Sequence, residues 1–115
     1  MSYFAKVDLI LQERENPNTI VLNRDSRRDK LLSKICELYS IGMEDIRSQN
    51  RKGNIRDARN LSFYIMYKVL KYTSTFTGEF LNRNHATVLS GANRTADYIQ
   101  FDKEYEQLVA TILNQ

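Results

Sequence analysis

The sequence predicts an all-α domain containing a helix-turn-helix, preceded by an extra N-terminal segment. Three observations carry that expectation. Apolar residues recur at steps of three and four through most of the 115 residues, the period of a helix with one buried face. Residues that cap helices well (Ser26, Asn54, Thr73 or Ser74, Asn84 and Asp102) stand just before these periodic runs. The run Asn82-Arg83-Asn84-His85-Ala86-Thr87-Val88 reads as a tight turn followed by a helix start, so the helices on either side meet at a corner.

In chain order, residues 2 to 14 place Tyr3, Phe4, Val7, Ile10 and Leu11 at helical spacing, which favours an amphipathic helix and keeps a strand over Val7 to Leu11 as the alternative. Glu15-Asn16-Pro17-Asn18 should break it, and Thr19 to Leu22 is a short β-branched run of unassigned structure. Ser26 with Asp29 resembles a capping box and should open a helix carrying Leu31, Leu32, Ile35, Leu38 and Tyr39. That helix should end near Ile41-Gly42, with Gly42 as a left-handed cap. Cys36 falls beside Ile35 and reads as a small core or boundary residue.

Glu44 to Gln49 can form a short helix, and Asn50 to Asn54 a basic loop. Asn54 and Asp57 again resemble a capping pair and should open the longest helix, with Ile55, Ala58, Leu61, Ile65 and Val69 inward, Tyr64 and Met66 flanking, and an end near Tyr72. A shorter helix capped by Thr73 or Ser74 should carry Phe76, Phe80 and Leu81 inward. After a turn at Leu81 to Arg83, Asn84 caps a helix beginning at His85. Its Val88, Ala92, Thr95 and Ile99 recur at steps of four, three and four and should be buried, leaving His85, Ala86, Ser90, Asn93 and Arg94 outward. Asp102 should cap a last helix holding Tyr105, Leu108, Val109, Ile112 and Leu113 on one side. The expected division is residues 1–24 as an extension, 25–100 as the helix-turn-helix domain, and 101–115 as a helix packing on it.

Composition narrows the chemistry. A hydrophobic fraction of 42% and a charged fraction of 27% are ordinary for a globular domain. The net charge of +3 hides an uneven layout. Residues 24 to 60 hold ten Lys and Arg against six Asp and Glu, whereas residues 101 to 115 hold one against three. Positive charge thus gathers in the middle of the chain, the footprint of phosphate contact. One His and one Cys offer no metal cluster and no internal disulfide, and neither a signal peptide nor a long apolar span is visible. Those absences predict no metal, no cofactor, no membrane partner, no catalysis and a cytoplasmic address. The exposed start of the His85 helix, small and rich in hydrogen-bonding groups at a positive dipole end, suits base edges and phosphate.

Ile41-Gly42-Met43-Glu44-Asp45-Ile46, Arg51, Ala58-Arg59, Tyr64 and finally Arg83-Asn84-His85-Ala86-Thr87-Val88 together resemble the C-terminal DNA-binding domain of DnaA, the bacterial replication initiator. The resemblance covers roughly Lys34 to Tyr98. It implies a Trp-repressor-like helical bundle that binds duplex DNA at an A·T-rich site related to the DnaA box, one monomer per site, in regulation of replication initiation or transcription. No Gly-x-x-x-x-Gly-Lys phosphate loop is present, so a stand-alone chain of this kind should neither bind nucleotide nor hydrolyse ATP.

The resemblance also assigns roles. It places Arg51, with Lys52 beside it, at the minor groove, and Asn84, His85, Ala86 and Thr87 at major-groove base edges. Arg59 becomes the leading phosphate contact, with Ser74, Thr75, Arg83 and Ser90 completing the expected DNA-binding set. Several positions depart from the family pattern: aspartate becomes Asn84, a serine or threonine becomes Ala86, turn glycines become Leu81 and Asn82, and a lysine of the long helix becomes Tyr67. Such changes should shift the preferred site. They also leave open a second reading, a protein-interaction module with a DnaA-like fold and weakened DNA binding, docking through residues 1–24.

Overall fold

A proline in the first turn of a helix lacks only an N–H that would have no intrahelical partner there. In the computed structural model, which describes residues 17–114 and the side chains of residues 23–114, Pro17 and Asn18, expected in a break, lie in a helix. Helix α1 runs unbroken over Pro17–Tyr39, so Thr19 to Leu22 is helical and the capping box expected at Ser26 is not a helix start. There follow α2 (Met43–Arg47), α3 (Gly53–Phe63), which widens into a π-helical segment over Tyr64–Val69, α4 (Ser74–Leu81), α5 (His85–Phe101) and α6 (Lys103–Leu113). No strand occurs among the described residues, and the all-α expectation holds. The helix expected over residues 2 to 14 lies outside the described residues.

Helix ends differ from expectation where backbone conformation decides. Ser40, not Gly42, takes the left-handed conformation after α1, with φ 58°. Gly42 is extended and its N–H donates to Asp45 Oδ2 at 3.0 Å, which makes it the start of α2. Asn54 lies inside α3 rather than capping it; Lys52 is the capping position, without a side-chain bond. Thr73, Asn84 and Asp102 cap as expected: their side-chain oxygens accept from the N–H groups of Phe76, Thr87, and both Glu104 and Tyr105.

The core lies where α3 and α5 cross, with α1, α2, α4 and α6 around them. Leu31, Leu32 and Ile35 come from α1, Ile46 from α2, Ala58 and Leu61 from α3, Leu81 from α4, Val88 and Ala92 from α5, and Ile112 from α6. Each leucine, isoleucine or valine among them, fully buried, contributes about 1.5–3 kcal/mol. Gly91 sets the approach of α5 to α3. A Cβ there would stand 2.6 Å from both Phe63 Cδ2 and Asn60 Oδ1.

Two expectations about side-chain direction fail for visible reasons. Leu70 N–H bonds back to Ile65 C=O at 2.9 Å, a five-residue step, so the widened turn buries Leu70 and leaves Val69 half-buried. Helix α3 with its π segment spans 17 residues and is not the longest helix, because α1, with 23, runs through the break expected near Pro17. Phe76, expected inward, is exposed, while Phe80 is half-buried against the core; the two stack in a ladder with the buried Tyr72 at ring separations of 5.2 and 6.0 Å. Guanidinium groups cover that ladder, Arg24 over Tyr72 at 4.1 Å, Arg28 over Phe80 at 4.3 Å and Arg47 over Phe80 at 4.7 Å. The Tyr72 hydroxyl donates to the Asp25 carboxylate, so α1 and α4 are joined through this stack.

Gly78 permits the close turn between α4 and α5, because a Cβ at that position would overlap the Arg83 carbonyl oxygen. In an open helix Gly→Ala stabilises by about 1 kcal/mol. Here the clash outweighs that gain, and Gly78→Ala is expected to lower the unfolding free energy by about 1–3 kcal/mol in urea denaturation. An unchanged or raised midpoint would contradict this account of the turn.

Candidate nucleic-acid interface

The segment between α2 and α3 contains no regular structure, yet Ser48, Asn50 and Lys52 are tied down. Ser48 Oγ donates to Asp45 C=O at 2.7 Å, Asn50 N–H donates to Ser48 Oγ at 3.1 Å, and Lys52 N–H donates to Asn50 Oδ1 at 2.9 Å. From α3, Arg59 reaches under the segment. Its Nε donates to Ile46 C=O at 2.7 Å, and its Nη2 lies 3.2, 3.1 and 3.0 Å from the carbonyl oxygens of Asp45, Ser48 and Asn50. From the turn between α4 and α5, Arg83 Nη2 donates to the same Ser48 carbonyl at 2.5 Å. The loop is therefore held in place, and Arg51 and Lys52 are exposed on that fixed frame.

Arg59 departs most from its expected place. It is only 5% exposed, and its Nε and Nη2 already serve backbone carbonyls. It holds the loop from beneath, whereas a phosphate contact needs an outward guanidinium.

Charge accumulates around it. Burial, then Arg83 and Arg51, hold the Arg59 guanidinium below the usual arginine range; burial and Arg51 do the same to Arg83. The ion pairs formed among the described residues, Arg28 with Asp25 and Asp29 and Lys34 with Glu37, all lie on α1. None of these carboxylates reaches Arg51, Arg59 or Arg83. Three guanidiniums crowd together without a counter-charge, which favours an incoming anion.

These groups flank a groove of about 280 Å³. Gln49, Arg51, Arg56, Arg59 and Asn60 form one side, and Thr87, Ser90, Gly91 and Arg94 form the other, with Phe63 and Arg83 between. Thr87, Ser90 and Arg94 succeed one another at steps of three and four, so one exposed stripe of α5 faces the groove. Of the expected residues, the structure brings together Arg51, Arg59, Arg83, Thr87 and Ser90. Asn84, His85 and Ala86 are exposed on the first turn of α5, and Lys52 is exposed next to Arg51. Asn84 Oδ1 already accepts from Thr87 N–H at 2.9 Å, so Asn84 has its amide donor to offer outward. Ser74 and Thr75 sit in the first turn of α4 and do not line the groove.

Arg56, Arg94 and Gln49 were absent from the expected set. Arg94 was legible, being four residues beyond Ser90 on the outward stripe. A second cavity, of about 200 Å³, is lined by Asp57, Asn60, Thr95, Tyr98, Asp102 and Tyr105 and carries the opposite sign of charge. It is unsuited to phosphate. Among the described residues no group of three or more His, Cys, Asp or Glu could hold a metal ion, and no helix is long and apolar enough to cross a membrane.

Residues 28–94, which span α2, α3, the turn and most of α5, match the family model of the bacterial DnaA protein helix-turn-helix. The chain belongs to this family. It is 33% identical over 87 residues to the chromosomal replication initiator protein DnaA of Mesoplasma florum, a match covering 75% of this chain and 20% of the relative. It is 31% identical over 110 residues to that of Jannaschia sp., covering 88% and 23%, and 26% identical over 119 residues to that of Lachnoclostridium phytofermentans, covering 96% and 25%. The chain thus spans about a fifth to a quarter of the length of these relatives. Family membership makes this a DNA-binding helix-turn-helix domain, and the basic groove is where its arginines and the outward stripe of α5 converge.

Because Arg59 serves several carbonyls from a planar fork, a lysine cannot replace it. Arg59→Lys is expected to lower stability by at least about 2 kcal/mol, since buried acceptors lose their donors. Limited proteolysis should then cut within residues 48–52. Wild-type stability in Arg59→Lys would show that the loop does not depend on this guanidinium.

Proposed function

We propose that this domain reads double-stranded DNA in two places at once, with the first turns of α5 in the major groove and Arg51 in the adjoining, A·T-rich minor groove. The observation that carries the reading is the cluster of guanidiniums without carboxylate partners around a groove whose other side is the exposed stripe of α5. His85, Ala86 and Thr87, with the Asn84 amide, are the base-reading set: a hydroxyl and methyl from Thr87, a methyl from Ala86 for thymine, and a ring nitrogen from His85. Arg56, Arg94, Lys52 and Ser90 contact phosphate, while Arg83, bonded to the Asn82 and Ser48 carbonyls, holds the loop. A narrow A·T-rich minor groove has enhanced negative potential, which favours the Arg51 guanidinium. In this reading Arg59 fixes the geometry of the Arg51 loop instead of touching phosphate, and Ser74 and Thr75 are peripheral. The relatives are replication initiators, and we assign this chain to a DnaA-box-related site in control of initiation or of transcription near it.

Fluorescence-anisotropy titration of a DnaA-box duplex beside a scrambled one, at two salt concentrations, tests the proposal. Preference for the box is expected, with log affinity falling against log salt by about 0.9 per phosphate neutralised. No binding to either duplex at low salt would overturn it and favour a protein partner. His85→Ala should cost about 1–3 kcal/mol on the preferred site and little on the scrambled one. Arg51→Ala should lose most affinity where the flank is A·T-rich, and equal losses on A·T-rich and G·C-rich flanks would remove Arg51 from the minor groove.

A further inference from the structure

The turn between α4 and α5 is tied to the end of α2 by bonds that span more than thirty residues of sequence. Asn82 takes the left-handed conformation, φ 62° and ψ 46°, which glycine adopts at least cost and asparagine tolerates. From that position its Nδ2 donates to Arg47 C=O at 3.0 Å. Arg47 returns a bond, Nε to Phe80 C=O at 2.8 Å. Arg83 connects the same two regions, with Nη1 on Asn82 C=O at 2.8 Å and Nη2 on Ser48 C=O at 2.5 Å. The backbone from Arg47 to Asn50, immediately before Arg51, is thus held by the turn on one side and by Arg59 on the other.

We propose that Asn82 is a positioning residue that fixes the distance between Arg51 and the recognition helix α5, so that the two bind one duplex as a rigid pair. The inference rests on the two-part reading above. A glycine would serve the backbone at Asn82 at least as well, so the side chain there is accounted for by its bond to Arg47 rather than by the turn itself. Preorganisation of this kind adds affinity because less order remains to be imposed on binding. Its signature is non-additivity: the contribution of Arg51 depends on whether Asn82 is present.

Asn82→Gly removes the amide and keeps the backbone conformation, which makes it the test. Affinities of wild type, Asn82→Gly, Arg51→Ala and the double variant are measured by anisotropy on a DnaA-box duplex with an A·T-rich flank and on one with a G·C-rich flank. On the A·T-rich duplex the loss caused by Arg51→Ala should shrink by about three-fold or more in the Asn82→Gly background, with little coupling on the other duplex. An identical loss in both backgrounds overturns the positioning role while leaving the two-part reading intact. Wild-type failure to bind either duplex overturns that reading and this inference with it. Should Asn82→Gly melt well below wild type, Asn82→Asp, which tolerates the left-handed backbone and removes the amide donor to Arg47 C=O, completes the same cycle.

Discussion

A guanidinium buried among backbone carbonyls connects the fold to its surface chemistry. Arg59 rises from α3 to the end of α2 and the irregular stretch after it, and donates to the carbonyls of Asp45, Ile46, Ser48 and Asn50. An orphaned buried carbonyl costs about 1–3 kcal/mol, so the order of the stretch from Ile46 to Asn50 depends strongly on Arg59, with Asn82 and Arg83 holding it from the other side. Everything exposed on that stretch inherits its order. Arg51 in particular stands at a fixed height beside α5, although it lies in what the sequence marks as a loop.

The same arrangement creates the charge that the surface presents. Holding the loop with Arg59 and Arg83 brings two positive groups to one carbonyl, with Arg51 nearby, and burial keeps water from screening them fully. In a low-dielectric setting this is unfavourable for the protein alone and favourable with a polyanion present. The acid-lined cavity beyond Asn60 sharpens the contrast, because only one side of α3 offers the cation-rich face. Structural arginines beneath and reading arginines above therefore have distinct roles within one cluster.

Much of this was legible because it is local. The caps at Thr73, Asn84 and Asp102 depend on residues two or three positions away, and the buried stripe Val88, Ala92 and Thr95 follows from helical period alone. What escaped depends on contacts made across the fold. Arg59 reads as a surface arginine until α2 places the carbonyls of Asp45 to Asn50 against it. Phe76 reads as core until it stacks at the surface against Tyr72, and the outer face of Phe80 is covered by Arg28 and Arg47 from two other helices. The π-helical step that exchanges Val69 for Leu70 leaves no mark in apolar periodicity, and Arg56 enters the groove only through the crossing of α3 and α5.

The central claim is that the Arg51 loop and the outward stripe of α5 meet the same duplex while Arg59 stays beneath. Nitrogen-edited NMR of amide and arginine Nε–H signals, during titration with a short DnaA-box duplex, tests it most directly. The account predicts shifts at Arg51, Arg56, Arg94 and the amides of His85 to Ser90, with the Arg59 Nε–H signal nearly unmoved because it remains bonded to Ile46 C=O. Shifts confined to α6 and the Tyr105 cavity, or a large displacement of Arg59 with none at Arg51, would contradict it.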